Sequence, residues 1–284
     1  MKLKRSERIV VMTQYLLENP NKLIPLTYFV SKFNQAKSSI SEDIHIIKTG
    51  FKEENIGEIT TLAGVNGGVI FKPILVEADA QKIVDNFLEK IRNDHRLLAG
   101  GYIFMSDITG NPSLLNKLGR LIATVYKNKE IDAVVTVATK GIPVAYAVAS
   151  ILNKPVVIIR RDNKVTEGTT VAINYVSGST KKIETMILSK RSLQSGSRVL
   201  LIDDFLRGGG VMRGMESLMN EFDAEVVGKA ILTQCFDSII EQDEDYLYLS
   251  KLEHIDEYNG TFSVKEGNIM KKIREIEKEE LDNE

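Results

Sequence analysis

With one cysteine in 284 residues, the chain has no partner for an internal disulfide and no cysteine set for a structural zinc ion. The three histidines, His45, His95 and His254, are scattered and show no ligand spacing, so no structural metal is expected. No stretch of about 18 apolar residues occurs, which argues against a membrane span. The basic start MKLKRSERIVVMTQYLLENP has no uninterrupted apolar region or small-residue cleavage site, so a cytoplasmic protein is expected. Internal repeats and low-complexity tracts are also missing. What is there is ordinary for a folded protein: 43% apolar and 27% charged residues, in a chain long enough for two domains or one large one.

The net charge of -2 hides an asymmetry. Residues 1–73 carry ten Lys/Arg against seven acids, and the remainder carries 27 bases against 32 acids, so a small basic module precedes a larger acidic one. In the basic module, apolar residues at Ile9, Met12 and Leu16 predict a helix from Arg8 to Asn19, stopped by Asn19-Pro20. A short helix fits Leu26 to Phe33. Ser39-Ile40-Ser41-Glu42 has the capping-box pattern, which predicts a third helix starting near Ser39. On that helix Ile40, Ile44 and Ile47 share one face, and Ser41, His45 and Lys48 share another. GEITTLAGVNGGVIFKP then reads as a hairpin, two Ile/Val/Thr-rich runs around a Gly/Asn turn.

This order of elements is that of a winged helix-turn-helix, whose third helix can enter the DNA major groove. It assigns Lys37, Ser38, Ser39, Ser41, His45 and Lys48 to phosphate or base contacts, and Lys4, Arg5 and Arg8 to phosphates. The competing reading is a small helical accessory domain with a solvated polar face.

Beyond Pro73, a charged amphipathic stretch from Val76 to Leu98 reads as a connecting helix, a possible dimer contact. From Gly100 onward, short Val/Ile-rich runs alternate with helical patterns. They include IDAVVTVATKG, KPVVIIRR, TTVAINYV, KIETMILS, SRVLLIDDFLRGGG and AEVVGKAILT, and they predict buried parallel strands in an α/β fold. The tail KKIREIEKEELDNE reads as a charge-dense helix that frays at its end.

Ligands of such folds sit at the carboxyl ends of strands. There the richest signal is VLLIDDFLRGGGVMRG, residues 199–214: a buried strand, two acids, and a glycine run that opens a helix. The free amides of Gly208, Gly209, Gly210 and Val211 form an anion cradle. Asp203 and Asp204, at its edge, suit ribose hydroxyls or a hydrated Mg²⁺. The pattern is neither GxxxxGK[ST] nor a dinucleotide fingerprint. A second strand-to-helix turn, Thr139-Lys140-Gly141, offers amides and an ammonium to another anion. Two cradles and a diol-binding acid pair suit a phosphorylated sugar.

The strand, the Asp-Asp pair and the glycine turn resemble the phosphoribosyl pyrophosphate (PRPP) motif of type I phosphoribosyltransferases. Thr139 to Ile142 match the pyrophosphate loop of that family, and Asp162 to Lys182 match its flexible hood. Together with KSSISEDI, ATKGIP, RDNKVTEG and NYVSGS, the chain up to about residue 235 resembles the purine operon repressors of Gram-positive bacteria. The resemblance implies a winged-helix domain over 1–73, then a linker helix and a parallel-sheet phosphoribosyltransferase-like effector domain over 74–284. It implies a homodimeric, cytoplasmic transcriptional repressor that binds inverted-repeat sites in double-stranded DNA at purine biosynthesis and transport genes. Its effector would be PRPP with Mg²⁺, opposed or replaced by a guanine nucleotide, at a non-catalytic pocket.

Two departures from the transferase pattern bear on function. Where purine-salvage transferases often carry a carboxylate that handles the base proton, this chain has Arg207, which stays protonated and cannot act as a base. Arg207 and Leu206 would instead border the ligand, the guanidinium suiting a phosphate. Where the motif usually ends in Thr or Ser, Val211 stands, and losing a hydrogen bond to a charged group costs about 1.5 to 3 kcal/mol, a tenfold to hundredfold change in affinity. Tyr102 and Phe205 are candidate base contacts or core residues, and Lys140, Arg160 and Lys164 are candidate anion contacts. The expectation is a regulator without catalytic residues or resident cofactor. The alternative is an active purine phosphoribosyltransferase with an accessory N-terminal domain.

Overall fold

Helix α1 (Arg5–Glu18) begins three residues before the expected Arg8, because the Glu7 carboxylate turns back and accepts from the Lys4 amide at 2.7 Å. Strand β1 (Ile24–Pro25) and helix α2 (Leu26–Phe33) follow. Helix α3 (Lys37–Glu53) also starts early, with Ala36 at its N-cap. Ser39 is therefore inside the first turn and the expected capping box does not form. Glu42 is drawn instead to Arg5 of α1, at 3.1 Å. Strands β2 (Glu58–Leu62) and β3 (Gly68–Lys72) form the expected antiparallel hairpin. β1 adds to β3, giving a three-stranded sheet in the order β1-β3-β2. Met12, Leu16, Phe29, Ile40, Ile44, Ile47, Ile59 and Phe71 form the core between helices and sheet, each fully buried apolar side chain contributing about 1.5–3 kcal/mol.

The computed structural model describes residues 3–64, 67–92, 94–163, 168–177, 181–235 and 246–282. By internal contacts the chain divides into one unit of Met1–Val76 with Ser150–Asn153 and a larger unit holding the rest.

The larger unit opens with α4 (Glu77–Ile91), which ends short of the expected Leu98. A 3-10 turn (Asp94–Arg96), the short strands β4 (Leu97–Leu98) and β5 (Tyr102–Ile103), and α5 (Ser106–Thr109) follow. Helix α6 (Pro112–Val125) starts on Pro112, and Asn111 Oδ1 accepts from the Leu114 amide at 3.1 Å. Next come β6 (Ala133–Val137), α7 (Gly141–Leu152), β7 (Val156–Ile159), β8 (Thr170–Val176), β9 (Ile183–Ser189), β10 (Arg198–Leu206), α8 (Gly210–Asn220), β11 (Glu225–Cys235), β12 (Tyr246–Asp256), β13 (Thr261–Glu266) and α9 (Ile269–Asp282).

The central sheet runs β13-β12-β11-β10-β6-β7. It is parallel except for the antiparallel β12–β13 pair at one edge, so the α/β architecture expected from the alternating runs is present. Two of those runs are placed differently. TTVAINYV and KIETMILS form β8 and β9, which pair antiparallel with each other outside the main sheet. Their Val/Ile content is that of any half-buried strand, and only the partner strand decides direction. The tail is helical to Asp282. α9 buries Ile269, Met270 and Ile273, and Glu277 accepts from the Glu77 amide at the start of α4 (2.9 Å). Among the described residues, no helix is long and apolar enough to cross a membrane.

Candidate functional site

Strands β10 and β6 are neighbours at the centre of the sheet, and the two candidate cradles lie at their carboxyl ends. From β10 the chain turns through Gly208 (φ 69°) and Gly209 (φ 66°), a left-handed backbone that glycine adopts without strain, before α8 begins. From β6 it passes through Ala138-Thr139-Lys140 into α7. At Gly141 a Cβ would lie 2.3 Å from Thr136 Oγ1 and 2.9 Å from Asp203 Oδ1, so the close approach of the two cradles requires glycine. The Thr136 hydroxyl is fully buried there and finds no hydrogen-bond partner among the described residues.

A cavity of about 480 Å³ opens between these turns. Of the residues expected at the ligand, Tyr102, Thr139, Lys140, Asp203, Asp204, Phe205, Leu206, Arg207 and Val211 line it. Gly141, Gly208, Gly209 and Gly210 shape the turns that carry this wall. Arg160 does not reach the cavity. Its backbone bridges to Ile187 of β9, and the neighbouring Arg161 lines the space instead, with Ser177 and Glu184. The alternation of β7 held that signal: Val157 and Ile159 are buried on one side, and Arg161 continues their register while Arg160 does not. Lys164 lies outside the described residues.

Asp203 and Asp204 are 9% and 7% exposed. Burial pushes the Asp203 carboxyl well above the usual carboxylate range, and the charge of Asp204 adds to the shift. Asp204 is also raised by burial, with the Lys140 ammonium acting in the opposite direction. Asp203 Oδ1 accepts from the Asp204 amide at 2.9 Å. Two buried carboxylates side by side, with perturbed ionisation and a cavity in front of them, mark a site that gains from hydroxyl donors or a cation on a ligand.

In the same cavity lining the Tyr102 and Phe205 rings are 5.6 Å apart and tilted by 43°. The Arg207 guanidinium lies 5.9 Å from the Tyr102 ring and rests on Gly101, where a Cβ would be 2.7 Å from its Nη1. The adjacent Gly100 amide donates to Glu257 (3.0 Å). A cation therefore sits beside the Tyr102 ring, at the position where the sequence motif resembling the transferases departs from a carboxylate.

The second candidate surface is on α3. Ile40, Ile44, Ile47 and Phe51 point inward, while Lys37, Ser38, Ser41, His45 and Lys48 are exposed, as the sequence periodicity predicts. Ser39 is half-buried. Thr49, unassigned by the sequence pattern, is exposed on the same side as His45. Lys4 and Arg5 are exposed as well, Arg5 being shared between Glu42 and Asp43 at 3.1 and 3.0 Å. Arg8 corrects the sequence-based assignment to phosphate. It is 6% exposed, and its Nε is 2.5 Å from Asp43 Oδ2. Burial and this ion pair make it part of the joint between α1 and α3, out of reach of DNA.

Comparison with known proteins places both units. Residues 4–73 match the family described as bacterial purine repressor, N-terminal, and residues 105–266 match the phosphoribosyl transferase domain. A probable purine biosynthesis transcriptional regulator of Streptococcus pneumoniae is 51% identical over 95% of this chain and 98% of its own. The purine biosynthesis transcriptional repressor of Bacillus subtilis is 48% identical over 95% of both chains. The purine biosynthesis transcriptional activator of Lactococcus lactis is 43% identical over 94% of this chain and 98% of its own. These matches run well past residue 235, beyond the motifs that carry the resemblance in sequence. In structure, the adenine phosphoribosyltransferase of Thermoanaerobacter pseudethanolicus superposes with a TM-score of 0.50 at 18% identity, covering 58% of this chain and 99% of its own, which fixes the fold of the larger unit.

Proposed function

The chain belongs to the bacterial purine repressors, and on that premise we propose that it is a DNA-binding repressor of purine biosynthesis and transport genes whose effector is a phosphoribosyl ligand. The observation that carries the reading is one chain holding both an exposed polar face on the third helix of a winged unit and a cavity with a buried Asp203–Asp204 pair between two anion cradles. PRPP with its Mg²⁺ suits the cavity. Asp203 and Asp204 would accept from the ribose hydroxyls, the amides at Gly209 to Val211 would hold the 5'-phosphate, and Thr139 to Gly141 with Lys140 would hold the pyrophosphate. A guanine nucleotide is the competing effector, its base placed near Tyr102 and Phe205.

Arg207 argues against turnover. A guanidinium beside the base position can hold charge but cannot remove a proton. The protein is accordingly a regulator, a homodimer matching the twofold symmetry of an inverted-repeat site, and it works in the cytoplasm. Ligand in the cavity favours a state of lower DNA affinity, so DNA and ligand oppose each other. Ser38, Ser41 and His45 face base edges, and Lys37, Lys48, Lys4 and Arg5 face phosphates.

The test is DNA binding to a purine-gene control region at fixed salt, titrated with PRPP and Mg²⁺ and in parallel with guanine nucleotides. Release by PRPP is expected. Formation of nucleotide and pyrophosphate from PRPP and a purine base would instead establish the transferase alternative, which the Asp203–Asp204 pair keeps open. The activator among the relatives motivates a second readout, transcription from the same promoter with and without the protein: repression is expected, and stimulation would reverse the sign of regulation.

A further inference from the structure

The β8–β9 hairpin sets Tyr175 and Glu184 directly opposite each other. Tyr175 is 8% exposed, and Gly214 of α8 lies so close that a Cβ there would be 3.0 Å from the Tyr175 ring. The ring is held in place. Its hydroxyl donates to Glu184 Oε2 at 2.8 Å. Burial, together with that carboxylate, pushes the hydroxyl pKa up to about 12, so it remains a donor at neutral pH. The hairpin is also tied to the end of β7 by the Arg160–Ile187 bridge, with hydrogen bonds of 2.9 and 2.8 Å. Glu184 is thus a carboxylate fixed in the cavity wall. Arg161 is the movable half of the pair: 53% of its side chain is exposed, and its Nη1 lies 2.8 Å from the same Glu184 Oε2. Both residues line the cavity that holds Asp203, Asp204 and Lys140.

We propose that Glu184 is an internal competitor for the cavity's ligand, occupying Arg161 with a carboxylate until a polyanion of higher charge draws the guanidinium away. The step rests on the phosphoribosyl reading of this cavity. An unpaired arginine at the wall would accept any phosphate. An arginine already held by a carboxylate yields only to an anion whose contacts elsewhere in the cavity outweigh that ion pair, as those of a diphosphate reaching both Arg161 and the Thr139–Lys140 turn do. Glu184 therefore sets a threshold that passes diphosphates and holds back inorganic phosphate and monophosphates. Tyr175 keeps Glu184 hydrogen-bonded after Arg161 leaves, so the exchange does not strand a carboxylate without a donor. The pair is partly exposed and loosely held, which keeps the exchange reversible.

The test is calorimetric binding of inorganic pyrophosphate with Mg²⁺, of PRPP with Mg²⁺ and of inorganic phosphate to the full-length protein. Glu184→Gln keeps the side-chain shape and the acceptor for Tyr175 but removes the charge. It is expected to bind pyrophosphate about fivefold more tightly than wild type and to narrow the preference for pyrophosphate over phosphate. Arg161→Ala is expected to weaken pyrophosphate binding, and the gain from Glu184→Gln should vanish in the double variant. A purely structural role for Glu184 predicts lost affinity and a lower melting temperature, the opposite sign. If wild type binds PRPP and Glu184→Gln binds pyrophosphate no more tightly, or if the gain persists without Arg161, the competition is overturned while the site stands. If neither wild type nor any variant binds PRPP or pyrophosphate, both the competition and the phosphoribosyl reading fail.

Discussion

Asp43 in the N-terminal unit and the Asp203–Asp204 pair in the larger unit are buried to nearly the same degree, 0% against 9% and 7% exposed, but their surroundings differ. Both oxygens of Asp43 face guanidinium groups, Arg8 at 2.5 Å and Arg5 at 3.0 Å. Asp203 and Asp204 are neighbours, and burial raises both ionisations, the charge of Asp204 adding to the shift of Asp203 while the hydrogen bond from Asp203 holds Asp204 down in part. A buried carboxylate with its counter-charge in place joins two helices. A buried acid pair whose neighbouring cation, Lys140, offsets burial only in part lowers stability, and such pairs are tolerated where a ligand completes the shell. The comparison separates architecture from function using the same residue type in one chain.

The largest expected effect comes from removing the counter-charge. Arg8→Ala leaves Asp43 buried and half-paired, at a cost of about 3–5 kcal/mol. Thermal unfolding should show early loss of the N-terminal unit and DNA binding should disappear, while PRPP binding by the larger unit persists. Unchanged melting and DNA affinity would deny the pair its structural role.

The reverse is expected at the other site. Asp203→Asn with Asp204→Asn should weaken PRPP binding by about a hundredfold and raise the melting temperature by about 3 °C. The sign follows from proton linkage. Because both folded-state pKa values lie above the unfolded ones, the native state holds these protons more tightly. The pair's contribution is therefore most favourable below the unfolded pKa of about 4, and it falls as pH rises from there through the folded-state values. Melting curves across pH should show wild type losing ground to the double variant as pH rises. A double variant less stable than wild type at neutral pH would mean that the pair supports the fold after all.

Gly141→Ala sharpens the contrast at the cradle itself. Its Cβ would press on Thr136 Oγ1 and Asp203 Oδ1, an overpacking expected to cost about 1–3 kcal/mol and to reduce PRPP affinity, with DNA affinity unchanged. Smallest is Lys48→Ala. It should weaken DNA binding modestly and lower the slope of log affinity against log salt by about 1. An unchanged slope would remove Lys48 from the phosphate contacts.

The same contrast explains what was legible in the sequence. Helix α2 and the inward face of α3 follow from a period of 3.6 that Ile40, Ile44 and Ile47 write plainly. The Asp-Asp-glycine turn and the Thr139-Lys140-Gly141 turn were readable because a strand end, acids and glycines are contiguous. What failed was non-local. Arg8 meets an acid 35 positions away, and no neighbour in sequence announces it. The early start of α3 comes from the Ala36 cap and from Glu42 turning to Arg5, which removes the local capping box. β8 and β9 have the composition of sheet strands but form a hairpin outside the main sheet, tied to it by the Arg160–Ile187 bridge. Glu184 and Ser177 reach the cavity through that hairpin; Ser177 lies in the NYVSGS stretch, but no motif points to Glu184. Arg161 was one residue from the candidate Arg160 and was recoverable from strand alternation.

The central claim is that the buried acid pair at the end of β10 reads a ligand whose binding opposes DNA binding. Its most direct test is the affinity for PRPP with Mg²⁺, measured at fixed salt on the free protein and on its complex with a purine-gene control site. Linkage requires that DNA weaken PRPP binding by the same factor by which PRPP weakens DNA binding, expected to be about 5- to 150-fold, and that Asp203→Asn with Asp204→Asn abolish this coupling while DNA binding remains. Equal PRPP affinity with and without DNA would contradict the account.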